Sequence, residues 1–234
     1  DPVKIATKFI KRFKVEHNVV TTQIEPHDWI AETCHALIRV NNIVNDLNND
    51  MWMYIANDIF ILKTIKDEVG SSTMPHKVNP IDFENAEGNL GLANALFSHL
   101  AEKLPRSRLQ RDLSDSTVLR NIGSLFAYIV ISLNSLKKGI AKIEPNKELI
   151  LKDLDNSWEI LTEAIQTILR KNGVEDSYTK IKSISRGKKL DYHSYIKIID
   201  DLKVNKADKE LLLSLTPKKY IGLADKLAKS SFKS

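Results

Sequence analysis

From His27 to Val69 the chain runs 43 residues without a glycine or a proline. Few other features limit a fold so tightly. Within the run Ile30, Cys34, Leu37, Val44, Leu47, Met51, Ile55 and Ile59 recur mostly at spacings of three and four. That spacing predicts one continuous amphipathic helix, roughly 50 Å long at 1.5 Å per residue. A helix of that length exceeds the diameter of a small domain, so it must pack in an elongated bundle or across a subunit interface. Pro26 bounds it upstream and Gly70 downstream.

Two further long helices follow. Asn79 suits a cap, Pro80 a first helical position, and Asp82 and Glu84 an electronegative first turn, which predicts a helix ended by Pro105. A third helix is predicted from Ser114 or Asp115 toward Pro145. Strand signals are scarce apart from the short extended VVTTQI. After Pro145 the segments shorten and become lysine-rich, near 147–171, 176–185, 191–202, 206–214 and 217–229. The expected architecture is all-α. A central long-helix bundle (1–144) precedes a smaller all-helical C-terminal domain (145–234). The chain opens without Met inside a helical pattern, which predicts a C-terminal portion of a longer polypeptide.

Composition narrows the function classes. The net charge of +5 hides an asymmetry: residues 137–234 carry +7 and residues 1–136 carry −2. The excess is lysine scattered with little aromatic interleaving, which reads as a solvated surface rather than a nucleic-acid footprint. Nothing approaches eighteen consecutive apolar residues, so no membrane span is expected. The single cysteine, Cys34, cannot form an internal disulfide and fits a reducing cytoplasm; it also rules out a zinc site built on clustered cysteines.

Between the first two long helices lies GSSTMPHKVNP, Gly70–Pro80. Each residue alone could be a cap or a turn. Helix connections need only about two to eight residues, yet here about fifteen polar residues with two prolines intervene. Long loops carrying conformational restraints tend to be functional. A serine hydroxyl is a poor base unless its alkoxide is stabilised. Lys77, the amides of the Gly-Ser-Ser turn and the following helix N-terminus could stabilise it. Lys77 and Asn79 could also hold a carboxylate or a developing aci-carboxylate. A serine base beside a carboxylate clamp suits proton abstraction alpha to a carboxylate, hence elimination. A second cluster, PRSRLQRDLSDSTVLRN, sets Ser116 and Arg120 four apart with Arg111 just before. A hydroxyl, a helix N-terminus and two guanidiniums make a candidate phosphate site. The competing reading, of equal weight, pairs these arginines with Asp112 and Asp115.

The GSSxMPxKxNP pattern resembles the signature loop of the fumarase/aspartase superfamily. TTQIEPHDWIAE, IDFENAEGNLGLANA, RDLSDSTVLRN and TPKKYIGLA resemble its bacterial-type adenylosuccinate lyase family. The resemblance covers essentially the whole chain and starts partway through that family's sequence. It implies β-elimination of fumarate from adenylosuccinate, giving AMP, and from the succinyl-carboxamide ribotide of purine synthesis, without a cofactor or metal. Only the resemblance separates Ser71, as general base, from Ser72. It implies substrate binding by Gln23, Lys77, Val78, Asn79, Asn85, Arg111, Ser116 and Arg120, with Glu84 and His76 in support. It also implies a homotetramer whose sites are shared between subunits. The family's general acid is a histidine from its N-terminal half. None of His17, His27, His35, His76, His99 and His193 falls at that place, so this chain alone is expected to be inactive or nearly so. Argininosuccinate lyase or fumarase is the nearest rival in the same chemistry, and a non-catalytic oligomerisation module the rival in another class.

Overall fold

The computed structural model describes residues 1–63, 79–187 and 189–230. Two compact units result, Asp1–Pro145 and Asn146–Ser234.

In the first unit, α1 (Pro2–Ile10) begins at Asp1, whose carboxylate accepts from the Val3 amide. Three long helices follow: α2 (Asp28–Ala56), α3 (Ile81–Lys103) and α5 (Ile122–Lys142), with the six-residue α4 (Ser114–Leu119) between the last two. α3 is central and packs against both α2 and α5. The packing is antiparallel. Ala31 and Cys34 near the start of α2 meet Phe97, Leu100 and Leu104 at the end of α3 and Leu125 at the start of α5. At the opposite end, Phe83 and Ala86 of α3 meet Leu136 of α5, with Met51 and Ile55 of α2 against them. Desolvation at the first cluster raises the Cys34 thiol above its ordinary value.

The long first helix is shorter than the periodicity suggests. It stops at Ala56, about 44 Å along. Asn57 caps it, Asp58 takes a left-handed backbone (φ 58°), and Phe60–Leu62 forms a strand, β1. Its partner is β2 (Ile143–Pro145), antiparallel, with Ile61 opposite Glu144. Three-residue strands are too short for a period-two pattern to show, and the Ile59–Leu62 run continues the helical spacing by coincidence. Residues 64–69 of the expected helix lie outside the described residues. VVTTQI is irregular and not a strand. The α3 cap falls on Pro80, one residue later than expected. The expected third helix is broken at Arg120–Asn121, where the Asn121 side chain bonds back to the Thr117 carbonyl and its own carbonyl accepts from Ser124.

Between α2 and α3 runs a seam of asparagines. Asn41 donates to Asn94 at 2.8 Å, and Asn94 donates to Asn42 at 2.9 Å. Asn48 is 1 % exposed, and both its amide atoms lack a partner among the described residues. A buried unpaired amide costs about 1–3 kcal/mol, and an apolar group of similar shape avoids that cost. The Asn48→Leu variant should therefore melt higher than the wild type. A lower midpoint in a thermal scan would show that the amide has a partner after all.

Two faces of this unit remain uncovered. Val40, Ile43 and Leu47 on α2, and Phe126, Val130, Leu133 and Ile140 on α5, are exposed at helical spacing. The run Ser114–Lys142 is long and apolar enough, by length and composition, to cross a membrane. Its apolar residues are spread round the helix, some against α3 and some outward, which the absence of an unbroken apolar stretch had concealed.

The second unit builds its own core. Helices α6 (Lys147–Asp155), α7 (Thr162–Lys171), α8 (Ser177–Ser185), α9 (Tyr192–Asp200), α10 (Lys206–Ser214) and α11 (Ala224–Ser230) follow the predicted segments, with two exceptions: 147–171 is interrupted by a short 3-10 turn at Trp158–Leu161, and 217–229 opens with a 3-10 turn at Pro217–Lys219 and is α-helical only from Ala224. Leu161, Ile165, Tyr195, Ile199 and Leu212 form the centre. The Tyr195 hydroxyl donates to the Leu212 carbonyl, and burial pushes its pKa up to about 12. Asp208, 3 % exposed, is held by Lys171 (2.7 Å) and by the Asn172 and Asn205 amides, which keep its carboxyl below the usual range.

Candidate functional site

The antiparallel packing sorts the candidate residues into two groups at opposite ends of the first unit. One group gathers where α2 begins and α3 ends. Gln23 is exposed on the irregular segment leading to α2. His27, left-handed (φ 61°), closes that segment. Its amide and Nδ1 both bond Glu25, and its Nε2 lies 3.7 Å from Asp115 Oδ2. That contact brings the Gln23 segment against α4, which carries Ser116.

Arg111 and Arg120, both exposed, flank α4. The expected competition between carboxylates for these arginines does not occur. Asp112 pairs with Arg108 at 3.1 Å and accepts from the Ser114 amide and hydroxyl. The Ser114 and Arg108 bonds hold its carboxyl well below the usual range. Asp115 faces His27. No described carboxylate lies within ion-pair distance of Arg111 or Arg120. Two guanidiniums flanking a short helix, without a described carboxylate partner, remain suited to a phosphate. One part of the expectation needs correction. α4 is too short to supply a helix dipole of any strength, and the Ser116 hydroxyl donates to the Leu113 carbonyl at 2.9 Å. Ser116 is thus a turn-forming residue in this state, and the cationic character comes from the arginines.

The other group sits where α2 ends and α3 begins. Asn79 lies at the entry to α3, beside Lys63, Asp82 and Lys142. Glu84 and Asn85 project from the first turns of α3 and are exposed. Glu84 accepts from Trp52 Nε1 at 3.0 Å, so the partner shown here is the indole rather than a histidine. Asn85 donates to Ser135 of α5 at 3.1 Å and accepts from Asn89. Ser71, His76, Lys77 and Val78 lie outside the described residues.

Eighteen residues of α3 separate Asn85 from Lys103, about 27 Å of helix at 1.5 Å per residue. A small molecule cannot bridge that span. Within one chain, therefore, Asn79, Glu84 and Asn85 do not share a pocket with Arg111, Ser116 and Arg120. Sequence reasoning singled out both groups but gave no signal for Asp112 as the anchor of the turn. Nor did it mark Trp52, which reads as one more apolar residue of a helix, or Lys142 and Asp82, which read as solvated ends of helices. Among the described residues no group of three or more His, Cys, Asp and Glu side chains could hold a metal ion.

Comparison with known proteins sets this geometry in a family. The sequence profile described as "Adenylosuccinate lyase C-terminal" matches residues 107–221, and that described as "Lyase" matches residues 3–94. Adenylosuccinate lyase of Buchnera aphidicola subsp. Baizongia pistaciae is 51 % identical over 226 residues, covering 97 % of this chain and 49 % of the relative. The chain belongs to the adenylosuccinate lyase family. The Vibrio cholerae adenylosuccinate lyase is 52 % identical over 96 % of this chain and 49 % of its own length, and that of Escherichia coli K12 is 50 % identical over 94 % and 48 %. The chain thus spans about half the length of the curated adenylosuccinate lyases it matches. Among solved structures, a class II fumarase from Schistosoma mansoni superposes with a TM-score of 0.56 at 20 % identity, over 74 % of this chain and 36 % of the fumarase. That likeness shows a helical fold shared with the fumarase, in agreement with the all-α expectation.

Proposed function

We propose that this chain supplies part of an adenylosuccinate lyase, which eliminates fumarate from adenylosuccinate to give AMP and from the succinyl-aminoimidazole-carboxamide ribotide. In this reading Ser71 takes the β-proton of the succinyl group. The electron pair passes into the neighbouring carboxylate as an aci-carboxylate, which Lys77 and Asn79 stabilise. The carbon–nitrogen bond then breaks, and the departing nitrogen receives a proton from an acid outside this chain's histidines. Gln23, Asn85 and Val78 bind substrate, Glu84 and His76 support the site, and Arg111, Arg120 and Ser116 take the phosphate. No cofactor or metal is needed for this chemistry.

One observation carries the choice of substrate: two guanidiniums, Arg111 and Arg120, without a described carboxylate partner. Malate and argininosuccinate carry no phosphate, so a pair of uncompensated arginines favours a nucleotide over either. The separation along α3 supports the rest of the reading. A substrate held at both groups must lie between copies of the chain, with the Arg111 end of one copy facing the Asn79 end of another. The exposed apolar stripes of α2 and α5 are suited to that association. We therefore read those stripes as subunit contacts, not as lipid-facing surface, in a homo-oligomer that we take to be a tetramer in the cytoplasm. Neither nucleic acid nor a membrane is a partner in this reading.

The test of substrate class offers the natural polypeptide carrying this sequence adenylosuccinate, argininosuccinate and malate in parallel, and follows fumarate by its ultraviolet absorbance. Fumarate from adenylosuccinate alone is the expected result. Fumarate from either of the others in preference would overturn the assignment.

A further inference from the structure

Lys142 is 5 % exposed at the end of α5, yet the reaction proposed above gives it no part. Lysine is almost never buried without a partner. Among the described residues it pairs with Asp82, 8 % exposed, on the first turn of α3, at 2.5 Å. Lys138, one turn back and largely exposed, lies 3.7 Å from the other oxygen of Asp82. Gly139 allows the close approach: a Cβ there would stand 2.9 Å from the buried Phe83 ring.

The backbone of the same lysine holds a different element. The Lys63 amide donates to the Lys142 carbonyl oxygen at 2.8 Å, directly after the β1–β2 pairing of Phe60, Ile61 and Leu62 with Pro145, Glu144 and Ile143. Lys63 is the last described residue before the signature segment, and Asn79 and Pro80, which end that segment, are the next described. A single residue therefore grips both stems, one through its carbonyl and the other through its ammonium group. A buried ion pair is seldom more stabilising than an apolar pair of the same volume, and its directional geometry is the property an apolar pair cannot reproduce.

We propose that Lys142 is a positioning residue that fixes both stems of the signature segment, one through its carbonyl and the other through Asp82, and so sets the register of the groups the segment carries. The catalytic consequence rests on the lyase reading; the structural consequence does not. Lys142→Met alone would leave the buried Asp82 carboxylate with the longer contact to the exposed Lys138 in place of its close buried partner, and could unfold the unit. The decisive variant is the double replacement Lys142→Met with Asp82→Leu, which removes both charges.

In the natural polypeptide that variant should keep the wild-type melting midpoint and AMP affinity. Its kcat for fumarate release should fall roughly 10- to 100-fold with KM little changed, as misplacement of a reacting group predicts. The conservative Lys142→Arg should retain most of kcat. Amide hydrogen exchange should quicken at Phe83 and Glu84, on the turn that carries Asp82, but not at Leu100. Wild-type exchange at Phe83 and Glu84 would overturn the proposal, and a wild-type kcat with quickened exchange would overturn its catalytic part. If the unmodified protein released no fumarate, the lyase reading would fail, and the exchange comparison would still decide the stem contacts.

Discussion

Replacing Ser71 with alanine should lower fumarate release by roughly 10²–10⁴-fold, the usual contribution of a positioned general base. The argument is chemical. The proton on the succinyl β-carbon is weakly acidic, and its removal places charge on the adjacent carboxylate. The alkoxide required is itself strongly basic and forms at neutral pH only where cationic and amide donors stabilise it. A single short run supplies both needs, with Gly70, Ser71 and Ser72 followed by Lys77 and Asn79. Alanine removes the base while leaving the charges that bind the carboxylates, so kcat should collapse with KM little altered. The same replacement at Ser72 should leave most of the activity. If the two results were reversed, the base would be Ser72. If neither replacement mattered, the elimination would depend on some other group.

The second large effect concerns the other end of the unit. Changing Arg111 and Arg120 together to methionine should lower kcat/KM by about 10²–10⁴-fold, since each hydrogen bond to a charged group is worth about 1.5–3 kcal/mol. The loss should appear mainly in KM, because the phosphate is bound alike in the ground and transition states. Neither arginine is engaged by a described carboxylate, so the melting midpoint should barely move. Succinyladenosine, which lacks the phosphate, provides the control. Wild type should discriminate strongly against it, and the double variant should not. A variant that lost stability but kept that discrimination would assign the arginines a structural role.

Much of this organisation is legible in the residues. The apolar spacing from Ile30 to Ile55 gives α2, and the GSSxMPxKxNP run is the feature on which the proposed elimination chemistry rests. What escapes is whatever depends on tertiary partners. Phe60–Leu62 is too short to announce itself as a strand, and its partner lies more than eighty residues away at Ile143–Pro145. Lys142 looks like a basic residue favoured by a helix C-terminus, and Asp82 like an acidic one favoured by an N-terminus. Both rationales hold locally, and neither reveals that the two meet in a buried pair. The Arg120–Asn121 break is similar. A polar pair inside an apolar pattern is usually a solvated face, and here an asparagine side chain competes with the helix backbone. The distance between the two candidate groups was available from the length of α3 alone. It acquires meaning only once the antiparallel packing puts Arg111 and Asn79 at opposite ends.

That separation leads to the account's central claim, a site built from more than one copy of the chain. The most direct measurement mixes two inactive variants of the natural polypeptide, Ser71→Ala and the Arg111→Met, Arg120→Met double, after dissociation and joint reassembly. If Ser71 of one copy acts on a substrate held by the arginines of another, mixed assemblies contain some sites with both groups intact. Fumarate release from adenylosuccinate should then return to a substantial fraction of wild type although each variant alone is nearly silent. If the reassembled mixture stays as silent as its components, each site draws both groups from a single chain, and the shared-site account is contradicted.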